Sequence, residues 1–329
     1  MIDIVANAAL TNLLAPAILF FALGALAGLA KSDLTIPDQA AKTLSLYLML
    51  CIGFKGGVEA RASGLSGDLL ATGGLGLAFS FLAPFAAFVV LRSLCKLDRT
   101  TAAATAAHYG SVSVVTFAAG SEYLRVLGVE FSGHMAAVLA LMETPAILAA
   151  LLIVGARQGQ TAVTDRAHLW REVLLNGAAV LLIGSFVVGA LTGSSGIEKL
   201  SGFVSGPLFQ GALCLFLLDM GLVAARRLSE ARAIRPSMVA FAVAWPLLGA
   251  AIALLAARAL GLSLGDTTLF AVLAASASYI AVPAAMRMAL PKADAGVYVP
   301  MALALTFPFN LVVGIPLYHA AAQFLGAAP

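Results

Sequence analysis

Charge is what this chain most lacks. Asp, Glu, Lys and Arg together make up 11% of its 329 residues, against roughly 25% in a soluble domain. Apolar residues make up 61%, in runs too long and too numerous for one soluble core. Crossing a bilayer takes about 20 mostly apolar residues per helix, so most of the chain is committed to spans and no separate soluble domain fits. The basic surplus is only +3 and is spread over loops, which excludes a nucleic-acid surface. Cysteine is scarce as well. Cys51, Cys95 and Cys214 are odd in number and widely spaced, which fits neither a disulfide framework nor a zinc site. No Lys or Arg precedes the first apolar run, so a cleaved secretory leader is not expected. An intramembrane enzyme would need a nucleophile with its base, or clustered metal ligands. The sequence has no Gly-x-Gly-Asp, no His-Glu-x-x-His and no paired intramembrane aspartates.

What is present is a succession of apolar stretches parted by charged or Gly/Ser/Pro-containing breaks. They predict an all-α polytopic membrane protein of ten transmembrane helices, at about 12–30, 37–54, 68–92, 100–119, 134–155, 171–192, 203–222, 236–260, 267–288 and 297–325. Asp33 and Pro37 mark the first turn, and Gly193 to Gly196 the turn after the sixth helix. Thirteen of the nineteen Lys and Arg residues, including Arg92, Arg157, Arg166, Arg171, Arg226 and Arg232, fall on one set of loops. The positive-inside rule places that set in the cytoplasm and both termini outside.

The halves resemble each other at a spacing of about 163–168 residues. Thr100 to Ser111 parallels Thr267 to Ser278, Glu143 to Leu148 parallels Thr306 to Leu311, and Gly57 with Arg61 parallels Gly221 with Arg226. Five helices per copy would place the copies in opposite orientations, as in transporters that bind near the midplane on discontinuous helices. The copies are 1–156 and 171–329, joined by a polar linker at 157–170.

Two mid-span segments are small and hydroxyl-rich. The fourth helix carries Gly110-Ser111-Val112-Ser113-Val114-Val115-Thr116, and the ninth carries Ser276-Ala277-Ser278-Tyr279 followed by Pro283. Pro283 lacks an N–H, which frees the Tyr279 carbonyl and disfavours helical geometry at Val282. Broken backbone at membrane depth survives only where protein or a watery cavity satisfies it. Freed carbonyls suit sodium, and the N–H groups at the start of a following half-helix suit a small anion. Glu143 in the fifth helix is a carboxylate at membrane depth and so a site candidate, as cation ligand, proton carrier or hydrogen-bonding partner. Lys55 and Asp219 occupy equivalent positions near helix ends, where snorkelling or a mutual ion pair is expected. His108 precedes Ser111 by one turn and reads as a packing histidine before a pH sensor. His134, His168 and His319 do not cluster.

The run from Ala275 to Arg287, with Leu305-Thr306-Phe307-Pro308-Phe309-Asn310-Leu311 and Gly314-Ile315-Pro316-Leu317-Tyr318, resembles the sodium-dependent bicarbonate transporters first described in cyanobacteria. The resemblance extends along the whole chain and is strongest in the ninth and tenth helices. It implies a homotrimeric sodium–bicarbonate symporter of the plasma membrane, with no cofactor beyond the coupling ion. It further implies a gate domain from helices 1, 2, 6 and 7 and an elevator-like core from helices 3–5 and 8–10, with helices 4 and 9 broken and crossing. Carried over by position, the substrate candidates are Gly110, Ser111, Ser113, Ser276, Ser278 and Tyr279. The cation candidates are Thr116, Thr306 and Asn310, with Glu143 beside them. Family members carry Gly-Ser where this chain has Val114-Val115, and Asp where it has Glu143. A small nucleotide-sensing regulatory protein on the cytoplasmic face is a partner the resemblance also implies.

Overall fold

The computed structural model describes residues 14–64, 67–155, 177–230 and 234–327. The predicted linker at 157–170, with Arg157 and Arg166, lies outside them, as do His168, Arg171 and Arg232. Among the described residues the fold is helical with no strand. The long helices are α1 Pro16–Leu29, α2 Asp38–Ser63, α3 Gly67–Ser93, and the pair α4 Arg99–Gly110 and α5 Val114–Val126. Next come α6 His134–Leu141 and α7 Pro145–Gly155. The second half contains α8 Gly177–Val204, α9 Gly206–Glu230, α10 Pro236–Leu260, and the pair α11 Leu264–Ala275 and α12 Ala281–Ala289. The last is α13, Ala295–Phe324, which widens into π-helical turns at Met301–Thr306 and Asn310–Gly314. Six described helical stretches are long and apolar enough to cross a membrane, among them α3, α8, α10 and α13. The chain is therefore a multi-pass membrane protein. Exposed leucines such as Leu23, Leu82, Leu191 and Leu255 belong against lipid.

Local chemistry explains the ends. Asp98 caps α4, its carboxylate accepting the N–H groups of Thr100 and Thr101 at 3.0 Å each, and Ser263 caps α11 by accepting from Asp266 N–H at 3.1 Å. Such caps satisfy donors that a helix start leaves orphaned. Pro16 and Pro236 open α1 and α10, where a missing N–H breaks no bond. Gly261 closes α10 at φ 71°, a conformation that favours glycine.

The chain leaves helical geometry where the turn after the sixth helix was expected: Gly193 (φ 60°, ψ −145°) separates two helical segments of α8 across a kink, the second ending at Val204. The Arg61 guanidinium donates to the Ala190 and Leu191 carbonyls just before the kink, and glycine reaches a positive φ at little cost.

Helix pairing follows the glycines. The most extensive contacts are α2 with α8 and α1 with α9. A methyl group on Gly57 would meet the Phe186 carbonyl oxygen at 1.9 Å, and one on Gly189 would meet the Phe54 carbonyl at 2.1 Å. Gly24 and Gly221 likewise face the carbonyls of Leu218 and Phe21 at 2.0 and 2.2 Å. Between helices in lipid the drive is close backbone approach, which small residues permit. On the other side of the molecule, α4 lies against α3 and α7, and α11 lies against α10 and α13.

Candidate functional site

The two interrupted helices meet at their breaks. α4 ends at Gly110, Ser111 to Ser113 is extended, and α5 restarts at Val114. α11 ends at Ala275 and α12 restarts at Ala281. The first half-helices are each 12 residues long, and nearly every residue in them is buried. The Ser113 N–H donates to Ser276 Oγ at 2.9 Å. The Ser278 N–H donates to the His108 carbonyl at 2.9 Å, and His108 Nδ1 pairs in return with the Ser278 carbonyl. Each break thus supplies what the other has lost.

This geometry corrects the expected role of Pro283. The proline sits in the first turn of α12, with Val282 already helical. At that position no N–H is required of it, so it helps start the second half-helix. The break itself lies upstream, at 276–280.

Most of the predicted site residues gather here. Gly110 is pressed against Pro84 of α3, where an added methyl would meet Pro84 Cγ at 2.3 Å. Ser111 Oγ donates to the Glu143 carbonyl at 2.8 Å, which brings the α6–α7 junction to the crossing. Ser113 Oγ accepts from the Thr116 N–H at 3.2 Å and caps α5. Ser276 Oγ donates to the Leu273 carbonyl at 2.8 Å. Asn310 Nδ2 donates to the last carbonyl of α11, Ala275, at 2.8 Å, while its oxygen accepts from the Tyr318 hydroxyl at 2.7 Å. The Ser113 side chain faces the Tyr279 hydroxyl, which is buried without a hydrogen bond of normal geometry. Glu143 is 3% exposed, and its Oε2 is likewise unpartnered.

Thr306 stands apart from this group. Its hydroxyl donates to the Ala242 carbonyl and pairs with the Tyr109 hydroxyl, both at 2.7 Å, so its visible work is to tie α13 to α10 and α4. The backbone matters more than the sequence suggested. Among the described residues, the N–H groups of Val114 and Val115 at the start of α5, and of Ala281 and Val282 at the start of α12, donate to no partner. Val114 and Val115 are buried at 4% and 1% exposure. The Val-Val pair therefore costs a hydroxyl but leaves the donors of the helix start in place. Two residues went unassigned to the site in the sequence. His108 clamps Ser278 through both its carbonyl and its ring, and its Nε2 is buried without a partner. Tyr109 braces Thr306 and the Met301 carbonyl, the latter at 3.2 Å. Their place just before Ser111 was the available signal.

Lys55 and Asp219 are both buried and form no ion pair with each other. Lys55 instead lies 4.2 Å over the Phe209 ring. The three cysteines are free.

A multi-pass helical membrane protein built around two interrupted helices, whose breaks hydrogen-bond to each other in the interior, is what fold and site define. A family model described as the Na+-dependent bicarbonate transporter superfamily matches residues 16–323. The chain belongs to that superfamily. No curated protein matches it.

Proposed function

We propose that this protein is a sodium-coupled symporter that imports bicarbonate. The observation that carries the reading is the interlocked pair of breaks, with two helix starts offering unpaired N–H groups, in a chain of this superfamily. Each helix start carries about +0.5 of an elementary charge and suits a small anion. Bicarbonate rests on the N–H groups of Val114, Val115, Ala281 and Val282, beside Ser111, Ser113, Ser276, Ser278 and Tyr279, with Gly110 letting Pro84 of α3 pack against the first break. Sodium takes freed carbonyls with the Glu143 carboxylate, near Thr116 and Asn310. A carboxylate inside a span is costly, about 2.5–3.5 kcal/mol on insertion scales for charged residues, and a bound cation offsets that.

The ten spans then form two inverted repeats, 1–156 and 171–329. Support comes from the matching order of elements: a proline inside each third helix, Pro84 and Pro246, followed by a broken helix in each half. The tight glycine pairing of α1 with α9 and α2 with α8 supports a gate unit against which a core of α3–α7 and α10–α13 moves as an elevator. Assembly as a trimer in the bacterial inner membrane, termini outside, completes the proposal, with a nucleotide-sensing regulator on the cytoplasmic side as a further partner.

Proteoliposomes test the central claim. Labelled bicarbonate should accumulate under an inward sodium gradient in mildly alkaline buffer, and should not when potassium replaces sodium. Absence of sodium-dependent uptake would end the assignment. Ser278→Val should abolish uptake in a folded protein.

A further inference from the structure

Among the described residues Lys55 is the one buried lysine, at 7% exposure. Long cationic side chains inside a span normally reach toward water or pair with a carboxylate. Lys55 does neither: no described carboxylate lies within 4 Å of its ammonium group, which sits over the Phe209 ring. It lines a cavity of about 30 Å³ between α2, α5, the start of α6 and α9, roughly twice what one water requires.

The rest of the lining is informative. Arg125 of α5 also faces this cavity, and its charge and that of Lys55 repel each other. Ser121 Oγ, in a residue 7% exposed, lines the same space without any hydrogen-bond partner. Ser132 is already committed, its hydroxyl donating to Asp266 Oδ2 at 2.7 Å. Glu122, 4.0 Å from Arg125, is held by Gln210 Nε2 at 2.9 Å. The Glu59 carboxylate borders the cavity as an acceptor. Two cations and an idle hydroxyl converge on a partly open cavity that the Glu59 carboxylate also lines.

We propose that this vestibule is a second anion site, shaped for a small monovalent oxyanion that carries a hydroxyl group. Lys55, Arg125 and Ser121 bind its oxygens, and Glu59 accepts its O–H. Bicarbonate has this form, whereas nitrate has the charge without the hydroxyl. Ser121 is seven residues beyond Val114 on α5, so the vestibule lies about 10 Å along that helix from the crossing. It is a separate waiting position. Identifying its occupant as the transported substrate rests on the proposed function; the existence of the site does not.

Thermal unfolding of the purified full-length protein in detergent tests it, with sodium held constant by gluconate while bicarbonate or nitrate is titrated. Bicarbonate should raise the unfolding temperature of the wild type, and also of Ser278→Val, where only the vestibule remains. Adding Lys55→Met to Ser278→Val should raise the half-saturating bicarbonate concentration at least about tenfold, as losing one hydrogen bond to a charged group does. Ser121→Ala in the same background should weaken binding in the same direction and serves if the methionine variant fails to fold. A double variant responding like Ser278→Val would overturn the site. Nitrate as effective as bicarbonate would remove Glu59 from it. Wild-type protein that shows the Lys55-dependent shift but no sodium-dependent uptake would sink the transport assignment and leave the vestibule standing. Uptake with a shift indifferent to Lys55 and Ser121 would do the reverse.

Discussion

Replacing Ser276 with alanine isolates the bond that joins the two breaks. Ser276 Oγ accepts the Ser113 N–H at 2.9 Å and donates to Leu273 at 2.8 Å, with both serines under 5% exposed. In the variant the Ser113 N–H has no second acceptor, because its own hydroxyl already serves Thr116. Leaving a buried donor unpaired costs about 1–3 kcal/mol, whereas hydrogen bonds between membrane helices average only about 0.6 kcal/mol, because alternatives are found. An extended backbone N–H locked between two half-helices has few alternatives, so the expected loss is about 1–2 kcal/mol by these figures. Equilibrium unfolding in mixed detergent, followed by circular dichroism, measures it. Ser113→Ala should lose about 1 kcal/mol through the helix cap alone. The two substitutions break different bonds, one from the Ser113 N–H to Ser276 Oγ and one from the Thr116 N–H to Ser113 Oγ. The double variant should therefore be additive within about 0.5 kcal/mol. A Ser276→Ala protein as stable as wild type would refute the reasoning. So would a coupling above about 1 kcal/mol, which would mean the hydroxyls pair with each other.

Gly57→Ala forces a methyl to within 1.9 Å of the Phe186 carbonyl, where about 3.4 Å is ordinary; it should lose about 1–3 kcal/mol in the same unfolding assay, while Gly74→Ala, with open space around it, should lose nothing. Glu143→Gln should fold and raise the sodium concentration for half-maximal uptake about tenfold, one charge-assisted contact's worth. Glu143→Asp should change it less, and unchanged sodium dependence in the glutamine variant would remove Glu143 from the cation site. At Asp98 burial pushes the carboxyl up, but hydrogen bonds from Thr100 and Thr101 outweigh it and hold the group below its usual value. Its capping stability is therefore complete above the unfolded value of about 3.9 and is lost as pH falls through the lower folded value. Asp98→Asn should keep the cap and flatten this part of the pH profile, whereas Asp98→Ala should lose about 1 kcal/mol at neutral pH.

Much of the site was legible because its residues are conspicuous in an apolar chain. Serines, a carboxylate and prolines at mid-span are costly in lipid, so Ser111, Ser113, Ser276, Ser278 and Glu143 could be singled out one by one. Their partners could not. The hydroxyl of Ser276 serves an N–H 163 positions earlier, and no local pattern announces that. Pro283 misled for a related reason. A proline is the same residue whether it breaks a helix or begins one, and only the chain's path at 276–280 tells the two apart. The family resemblance points to Thr306 by position alone, whereas its side chain faces Tyr109 and Ala242.

The sequence by itself determined that this chain is a multi-pass helical membrane protein and that its fourth and ninth helices are interrupted. Hydropathy, glycine, proline and small polar residues act through nearest neighbours and the surrounding lipid. Tertiary structure alone decided what fills each break, since an exposed backbone end can be satisfied by any donor or acceptor that the fold brings near. It also decided that Lys55 would face Arg125 across a cavity instead of pairing with Asp219. Charges meet according to the crossing of helices, and the glycines that set those crossings act through contacts with residues far away in the chain.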